Sequence, residues 1–375
     1  MTTTDPASDS TAQRKDDHIR LAMEQHSGET VRDYDHVRFV HHALAGGSRD
    51  TVDVSSPAFG WSAPFYVSGM TGGTAKAAEI NRGLGIVARE TGIPVACGSM
   101  GIVLRQPEVA PTFTVLREAN PDGFVMANTN ANVSGADAAR IVEIMGADAL
   151  QVHVNAAQET AMPEGDRDFS RWEGNIAAII DAVGVPVIVK EVGAGLSRGT
   201  VAALRDIGVG GVDLAGRGGT DFGAIESARR TDSGRHYLAG WGQSSVASLL
   251  ETAGLDGVGS LGPVGDGGAP RAALLASGGV RHPLDVVRAL ALGADAVGVA
   301  GTFLKVLTTD GEDALIALVR EWLTEIADLM ALLGTRDVAG LRTTDVLVTG
   351  PLREYAELRG FDVTAYARRG PWSRV

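Results

Sequence analysis

From Pro64 onward the chain alternates between short apolar runs and amphipathic stretches. Eight runs end in or near Gly, Ser or Asn: PFYVSGM (64–70), PVACGSM (94–100), GFVMANT (123–129), ALQVHVN (149–155), PVIVKEV (186–192), GVDLAG (211–216), ALLASGG (273–279) and AVGVAGT (296–302). Short apolar runs bounded by turn residues read as buried strands. The intervals carry helical periodicity, as in AAEINRGLGIVARETG, GADAARIVEIMG, RGTVAALRDIG and PLDVVRALALG. Eight strands, each followed by a helix, predict an α/β fold of the (β/α)8 barrel (TIM barrel) type, with strands from about residue 64 to 302. A doubly wound open sheet is the competing arrangement. It would show a GxGxxG turn after its first strand, and SGMTGG is not that pattern.

The pattern also sets the boundaries. Residues 1–12 are small, polar and without apolar period, and read as a disordered tail. Residues 13–375 read as one barrel domain with an N-terminal extension and a C-terminal helical extension. Over Arg14–His26, Ile19, Leu21, Ala22 and Met23 give one helical face, with Arg14, Lys15 and His18 at the front. A last helix over roughly 311–334 leads to a segment expected to pack on the barrel or on a neighbouring subunit. Long stretches follow strands four and six, AAQETAMPEGDRDFSRW and GRGGTDFGAIESARRTDSGRHYLAGWGQ, and read as functional loops on the face where barrels build their chemistry. The glycine-rich insertion at 255–270 falls on the opposite face.

The strand ends collect the candidate chemistry. Along strand four, Gln151, His153 and Asn155 alternate with Val152 and Val154, and Gln158 and Glu159 follow in an expected loop. Such groups are costly to bury without partners, so a packing strand does not normally carry them. The alternative is a satisfied hydrogen-bond network. Lys190 stands alone in VIVKEV, where a buried lysine must be paired or neutralised. It is a Schiff-base or general-base lysine, a cation beside an electron-rich cofactor, or the partner of a carboxylate such as Glu191. Lys190 and Glu191 point to opposite faces of a regular strand. The turns SGGVRHP and AGT, on adjacent late strands, match the phosphate site of barrel enzymes, or else serve only turn geometry. His41 and His42 lack zinc-site spacing and read as structural or surface residues.

Composition narrows the class. The 375 residues are 44% hydrophobic, enough for a large core, and the formal charge of −13 argues against nucleic acid as a partner. The single cysteine, Cys97, permits no disulfide within the chain, which fits a reducing cytoplasm. The polar start lacks the apolar segment of a secretory signal, and no apolar run reaches membrane-spanning length.

RKDDH, MTGG, HVNAAQE, PEGDRDF, PVIVKEVG, GRGGTDF and ASGGVRHPLDVVRALALGA together resemble the type 2 isopentenyl-diphosphate isomerases, closest to the actinobacterial members. The resemblance covers nearly the whole chain. It implies reduced FMN, NADPH as reductant, Mg²⁺, and conversion of isopentenyl diphosphate to dimethylallyl diphosphate without net redox change. Carried over by position, it implies FMN contacts at Gly69, Met70, Thr71, Ser99, Asn128, Lys190, Thr220, Gly279, Val280, Arg281, Ala300 and Gly301. It puts the substrate on Arg14, Lys15, His18, His153, Asn155 and Gln158, with Gln158 the catalytic residue at the hydrocarbon and Glu159 on Mg²⁺. It also implies a homotetramer or homo-octamer. Ser68, before Gly69, is a position where the family varies.

The residue types suit that chemistry. No side chain of the strand-four cluster is an obvious strong acid for an unactivated alkene. The resemblance therefore assigns the proton to the reduced flavin and to Gln158 the positioning of substrate and flavin. Lys190 would compensate negative charge on the reduced ring. Two other readings compete. An FMN-dependent α-hydroxy-acid oxidase would carry a catalytic histidine after strand six, where GRGGTDF has none. A non-catalytic protein that binds flavin or prenyl diphosphate has no need of Gln158, Glu159 and the Arg14–Lys15 pair.

Overall fold

The computed structural model describes residues 32–229, 235–252, 254–256, 258–259 and 271–373, together with Asp17, Arg20, Leu21 and Gln25. The cationic candidates Arg14, Lys15 and His18, the tail at 1–12 and most of the insertion at 255–270 lie outside the described residues.

The strands are β1 (Val37–Phe39), β2 (Phe65–Val67), β3 (Val95–Ala96), β4 (Val125–Asn130), β5 (Ala149–Val154), β6 (Val187–Glu191), β7 (Gly211–Asp213), β8 (Ala273–Ser277), β9 (Ala296–Val299) and β10 (Val346–Val348). Each predicted run contributes one of β2 to β9. These eight pair in parallel with their neighbours in sequence, and β9 returns to β2, so the sheet closes into the expected barrel. The early helices are α1 (Ala75–Thr91), α2 (Pro111–Ala119), α3 (Gly135–Met145), α4 (Ala156–Ala161), α5 (Trp172–Ala182), α6 (Arg198–Asp206) and α7 (Phe222–Arg229). The later ones are α8 (Ser245–Thr252), α9 (Pro283–Ala291), α10 (Gly301–Asp310), α11 (Glu312–Leu332), α12 (Val338–Leu341) and α13 (Gly350–Leu358).

Local signals fix the helix ends. The side chains of Thr74, Ser134 and Ser197 accept backbone N–H bonds at the starts of α1, α3 and α6. Gly92 and Gly146 close α1 and α3 in the left-handed conformation. The strands are shorter than the apolar runs. β7 ends at Asp213, whose carboxylate takes the N–H of Ala215, a non-glycine residue with φ 39°.

The core has two parts. Outward-facing Val67, Val95, Val152, Val189 and Val212 pack on helix residues such as Leu84, Ile141 and Leu290. Inside the barrel, Tyr66, Met126, Ile188 and Leu275 stack near the strand N-termini, and Trp61 from the preceding loop closes that end. The opposite end is left to polar side chains. The C-terminal segment packs on the barrel as expected. β10 pairs antiparallel with β1, and buried Arg342 meets Asp295 at 2.6 Å. His42 is structural, paired with Asp345 at 2.9 Å.

Two expectations are corrected. Gln158 and Glu159 do not sit in a loop but on α4, because AAQETA is rich in helix formers and the helix starts at once after β5. The long stretch after β7 is likewise interrupted by α7 and by a short 3₁₀ turn at His236–Leu238.

Candidate active site

A cavity of about 320 Å³ opens at the C-terminal ends of the barrel strands. It brings together Gly69, Met70 and Thr71 after β2, Ser99 after β3, Asn128 on β4, His153 and Asn155 at the end of β5, and Gln158 and Glu159 on α4. Lys190 of β6, Thr220 after β7, Gly279 and Val280 after β8, and Ala300 and Gly301 after β9 border it as well. Arg281 does not border the cavity, and its backbone N–H donates to Asp285 at 3.0 Å. Asn130, Met162, Phe222 and Leu304 also line it. Asn130 is one step of period two beyond Asn128. The three apolar residues look like any core residue in sequence.

Asn155 organises the mouth. Its Nδ2 donates to Gln158 Oε1 at 3.1 Å and to Glu159 Oε1 at 3.0 Å. Gln158 Nε2 then donates to Glu226 Oε1 at 3.1 Å. Glu226, on α7, is fully buried and paired with Arg229. The Gln158 amide is thus held at both ends. Glu159 Oε2 accepts the N–H of Asp166 at 2.9 Å, and Arg167 gathers the carbonyls of Glu159, Met162 and Gly165 around the turn after α4. PEGDRDF is therefore the brace of α4. Its Glu226 partner carried no distinctive sequence signal.

Deeper in, Asn128 Nδ2 donates to Gln151 Oε1 at 3.2 Å, which leaves Asn128 Oδ1 to accept from His153 Nδ1 at 2.9 Å. That bond assigns the proton to Nδ1 and leaves Nε2 an acceptor. Burial, then the nearby Lys190 charge, lower the His153 pKa to about 4, against a weaker opposing contribution from the Thr129 backbone. The imidazole is neutral at neutral pH.

Lys190 faces the cavity, and its Nζ donates to the Glu191 carbonyl at 2.8 Å. Its carboxylate partner is Asp213, at 3.7 Å, and not Glu191. The Glu191 carboxylate instead takes the backbone N–H groups of Gly193, Ala194 and Gly195, and burial is the main cause of its raised pKa. The two side chains diverge as strand geometry requires.

The glycine turn after β8 fits an anion. Gly278 has φ +99°, and a Cβ there would run into the carbonyl oxygen of Gly216. Beside it, α10 begins at Gly301 with its backbone N–H groups toward the cavity end. Arg32 braces the turn, donating to the Gly279 carbonyl at 3.1 Å and pairing with buried Asp285 at 2.5 Å. Thr71 Oγ1 is buried at the cavity without a hydrogen-bond partner, as expected of a group that meets a ligand. These features fit FMN. For a metal, no cluster of three His, Cys, Asp or Glu side chains occurs among the described residues. Glu159 alone fits an ion that takes its other ligands from substrate phosphate and water. The Gln25 side-chain amide and the Asp221 backbone exchange two hydrogen bonds of 3.1 and 2.8 Å, so Gln25 touches the loop that carries Thr220.

A barrel of this kind, with its phosphate-type turn on the last two strands, defines a cofactor-binding (β/α)8 enzyme. Residues 104–348 match the family model of FMN-dependent dehydrogenases. Among solved structures, a point mutant of flavocytochrome b2 superposes with a TM-score of 0.61 at 20% identity, covering 91% of this chain and 84% of that one. A mandelate oxidase mutant carrying a monooxide FMN adduct gives 0.57 at 19%, covering 89% and 92%. At these identities the likeness is one of fold.

The sequence relatives are far closer. The isopentenyl-diphosphate delta-isomerase of Kitasatospora griseola is 52% identical over 96% of both chains. That of Streptomyces sp. (strain CL190) is 51% identical over 96% of this chain and 95% of its own, and that of Nocardia farcinica 49% over 96% of each. The chain belongs to the isopentenyl-diphosphate delta-isomerase family. The oxidase reading is not favoured. His153 is the one histidine that lines the cavity among the described residues, and the segment after β7 supplies none.

Proposed function

We propose that the chain converts isopentenyl diphosphate to dimethylallyl diphosphate with reduced FMN, NADPH as the reductant and Mg²⁺ as the substrate-binding ion. The observation that carries the reading is the Gln158 amide, fixed between Asn155 and Glu226 at the mouth of a cavity whose far side is built of glycine turns. Reduced FMN, when bound, supplies the proton for the alkene and electron density facing the cationic carbon.

The chain's own residues do the rest. Gly279, Val280, Ala300 and Gly301 hold the cofactor phosphate, and Met70, Thr71, Ser99, Asn128, Lys190 and Thr220 hold its ring system. His153 offers Nε2 as a neutral acceptor, and Asn155 aligns Gln158 and Glu159 from one amide. Glu159 binds Mg²⁺ together with the substrate diphosphate. Arg14, Lys15 and His18 contribute the cationic end of that clamp. Anchoring at the diphosphate fixes geometry at the remote alkene. Met162, Phe222 and Leu304 give the hydrocarbon an apolar wall and exclude water.

The reading extends to a cytoplasmic homotetramer or homo-octamer with no nucleic-acid or membrane partner. No helix among the described residues is long and apolar enough to cross a membrane. The test is anaerobic: protein, FMN, Mg²⁺ and isopentenyl diphosphate in D₂O, with and without dithionite, followed by proton NMR. Deuterated dimethylallyl diphosphate formed only with dithionite is the expected result. No product in either sample, with FMN bound, rejects the assignment.

A further inference from the structure

Beneath the cavity four side chains from four strands meet: Tyr66 of β2, Lys190 of β6, Asp213 of β7 and Ser277 of β8. Asp213 is completely buried at their centre. Its Oδ2 accepts from the Tyr66 hydroxyl at 2.5 Å and lies 3.7 Å from Lys190 Nζ. Its Oδ1 accepts from Ser277 Oγ at 2.7 Å and from the Ala215 N–H at 3.2 Å. Each of these neighbours is a donor or a cation, the surroundings that suit an ionised carboxylate in a dry interior. Burial and the adjacent Asp213 charge push the Tyr66 hydroxyl far above its ordinary range, so it remains a donor.

Lys190 is the one cation that lines the cavity among the described residues, since His153 is neutral. An ammonium carries three N–H donors, and the Glu191 carbonyl and Asp213 take two directions. The third is left for the cavity. The positive field that Lys190 projects there is therefore offset from behind by Asp213. The offset is in turn moderated by the hydroxyls of Tyr66 and Ser277, which spread the carboxylate charge.

We propose that Asp213 is a positioning residue that fixes the Lys190 ammonium and sets, through it, how strongly the bound flavin holds electrons. This rests on the FMN reading above and deepens it. The sign follows from charge. Reduction leaves the flavin ring with more negative charge, which Lys190 favours and Asp213 opposes. Asp213→Asn removes the opposing charge while Lys190 keeps the Glu191 carbonyl. Tyr66→Phe and Ser277→Ala remove donors from Asp213, concentrate its charge and act in the opposite direction.

The test uses holoenzyme. FMN occupancy is read from visible absorbance, and the two-electron potential from anaerobic equilibration against a reference dye. Asp213→Asn is expected to shift the balance toward reduced FMN on the order of tenfold, a rise of about 30 mV. Tyr66→Phe is expected to shift it the other way by roughly threefold, about 14 mV. Variants that bind FMN fully with the potential of the parent, or that shift in the same direction, overturn the inference. A parent protein that takes up no FMN overturns the underlying cofactor reading instead. If Asp213→Asn does not fold, Tyr66→Phe and Ser277→Ala carry the test, and both must lower the potential.

Discussion

Gln158→Ala separates holding the cofactor from orienting the substrate. Truncation deletes two hydrogen bonds, one from Asn155 at 3.1 Å and one to Glu226 at 3.1 Å. Each partner keeps one other contact. Asn155 still donates to Glu159 Oε1 at 3.0 Å, and Glu226 keeps Arg229. The stability loss is therefore that of two ordinary bonds, about 1–2 kcal/mol. The glycine turns and Lys190 are untouched, so FMN occupancy should equal that of the parent. Turnover should not. Loss of a group that orients the reacting carbon costs on the order of a hundredfold, about 3 kcal/mol of barrier.

The assay pairs absorbance for FMN with initial rates of deuterated product by proton NMR. Asn155→Ala frees the same amide from its other end. The double variant should then lose little more than the worse single one, because the residues act through one network. Full FMN occupancy with turnover within threefold of the parent refutes the role of Gln158. So do losses that simply multiply.

Glu159→Gln should raise the Mg²⁺ needed for half-maximal rate on the order of tenfold; a metal titration superimposable on the parent's sinks the ligand assignment. Gly278→Ala combines a φ of +99° with a Cβ aimed at the Gly216 carbonyl, a strain of about 1–3 kcal/mol, and should weaken FMN binding in a fluorescence titration. An unchanged affinity would separate that turn from the cofactor. The His153 pKa, lowered from 6.5 to about 4, means the unfolded chain binds an extra proton between those values. That stability is complete above pH 6.5 and drains as pH falls toward 4, at no more than about 1.4 kcal/mol per unit. Urea unfolding of His153→Gln at pH 7 and pH 5 should show a shallower pH dependence than the parent, and equal slopes would contradict the buried neutral imidazole.

The barrel was legible because each parallel strand is buried on both faces, so its apolar run stands out against the amphipathic helix that follows. Strand lengths were not. They depend on local backbone turns that no apolar pattern marks, such as the positive φ of Ala215 just after β7. Strand-borne site residues were found by period two. Residues on α4 and α7 fall in stretches expected as loop, because AAQETA, though rich in helix formers, is only six residues long and too short to show a helical period, and its end is held from outside by Arg167. Glu226 escaped because a carboxylate in a polar-looking stretch has no local mark of burial. Its role emerges only when α7 folds back onto α4.

The same barrel fold is found in a solved mandelate oxidase. Here the acids and bases around the cavity are already engaged. His153 gives its only proton to Asn128 and resists a second one. Glu191 holds a loop, Glu226 holds Arg229 and Gln158, and Glu159 accepts from Asn155 and the Asp166 backbone. Groups so committed orient and polarise, and they do so without changing protonation near neutral pH in the case of His153. Among the described residues that leaves Lys190 as the cation in contact with the cavity and Asp213 as the charge that balances it. A site that fixes geometry and field in this way suits the proposed isomerisation, in which reduced FMN would supply the proton and the chain's residues would hold substrate and cofactor in place.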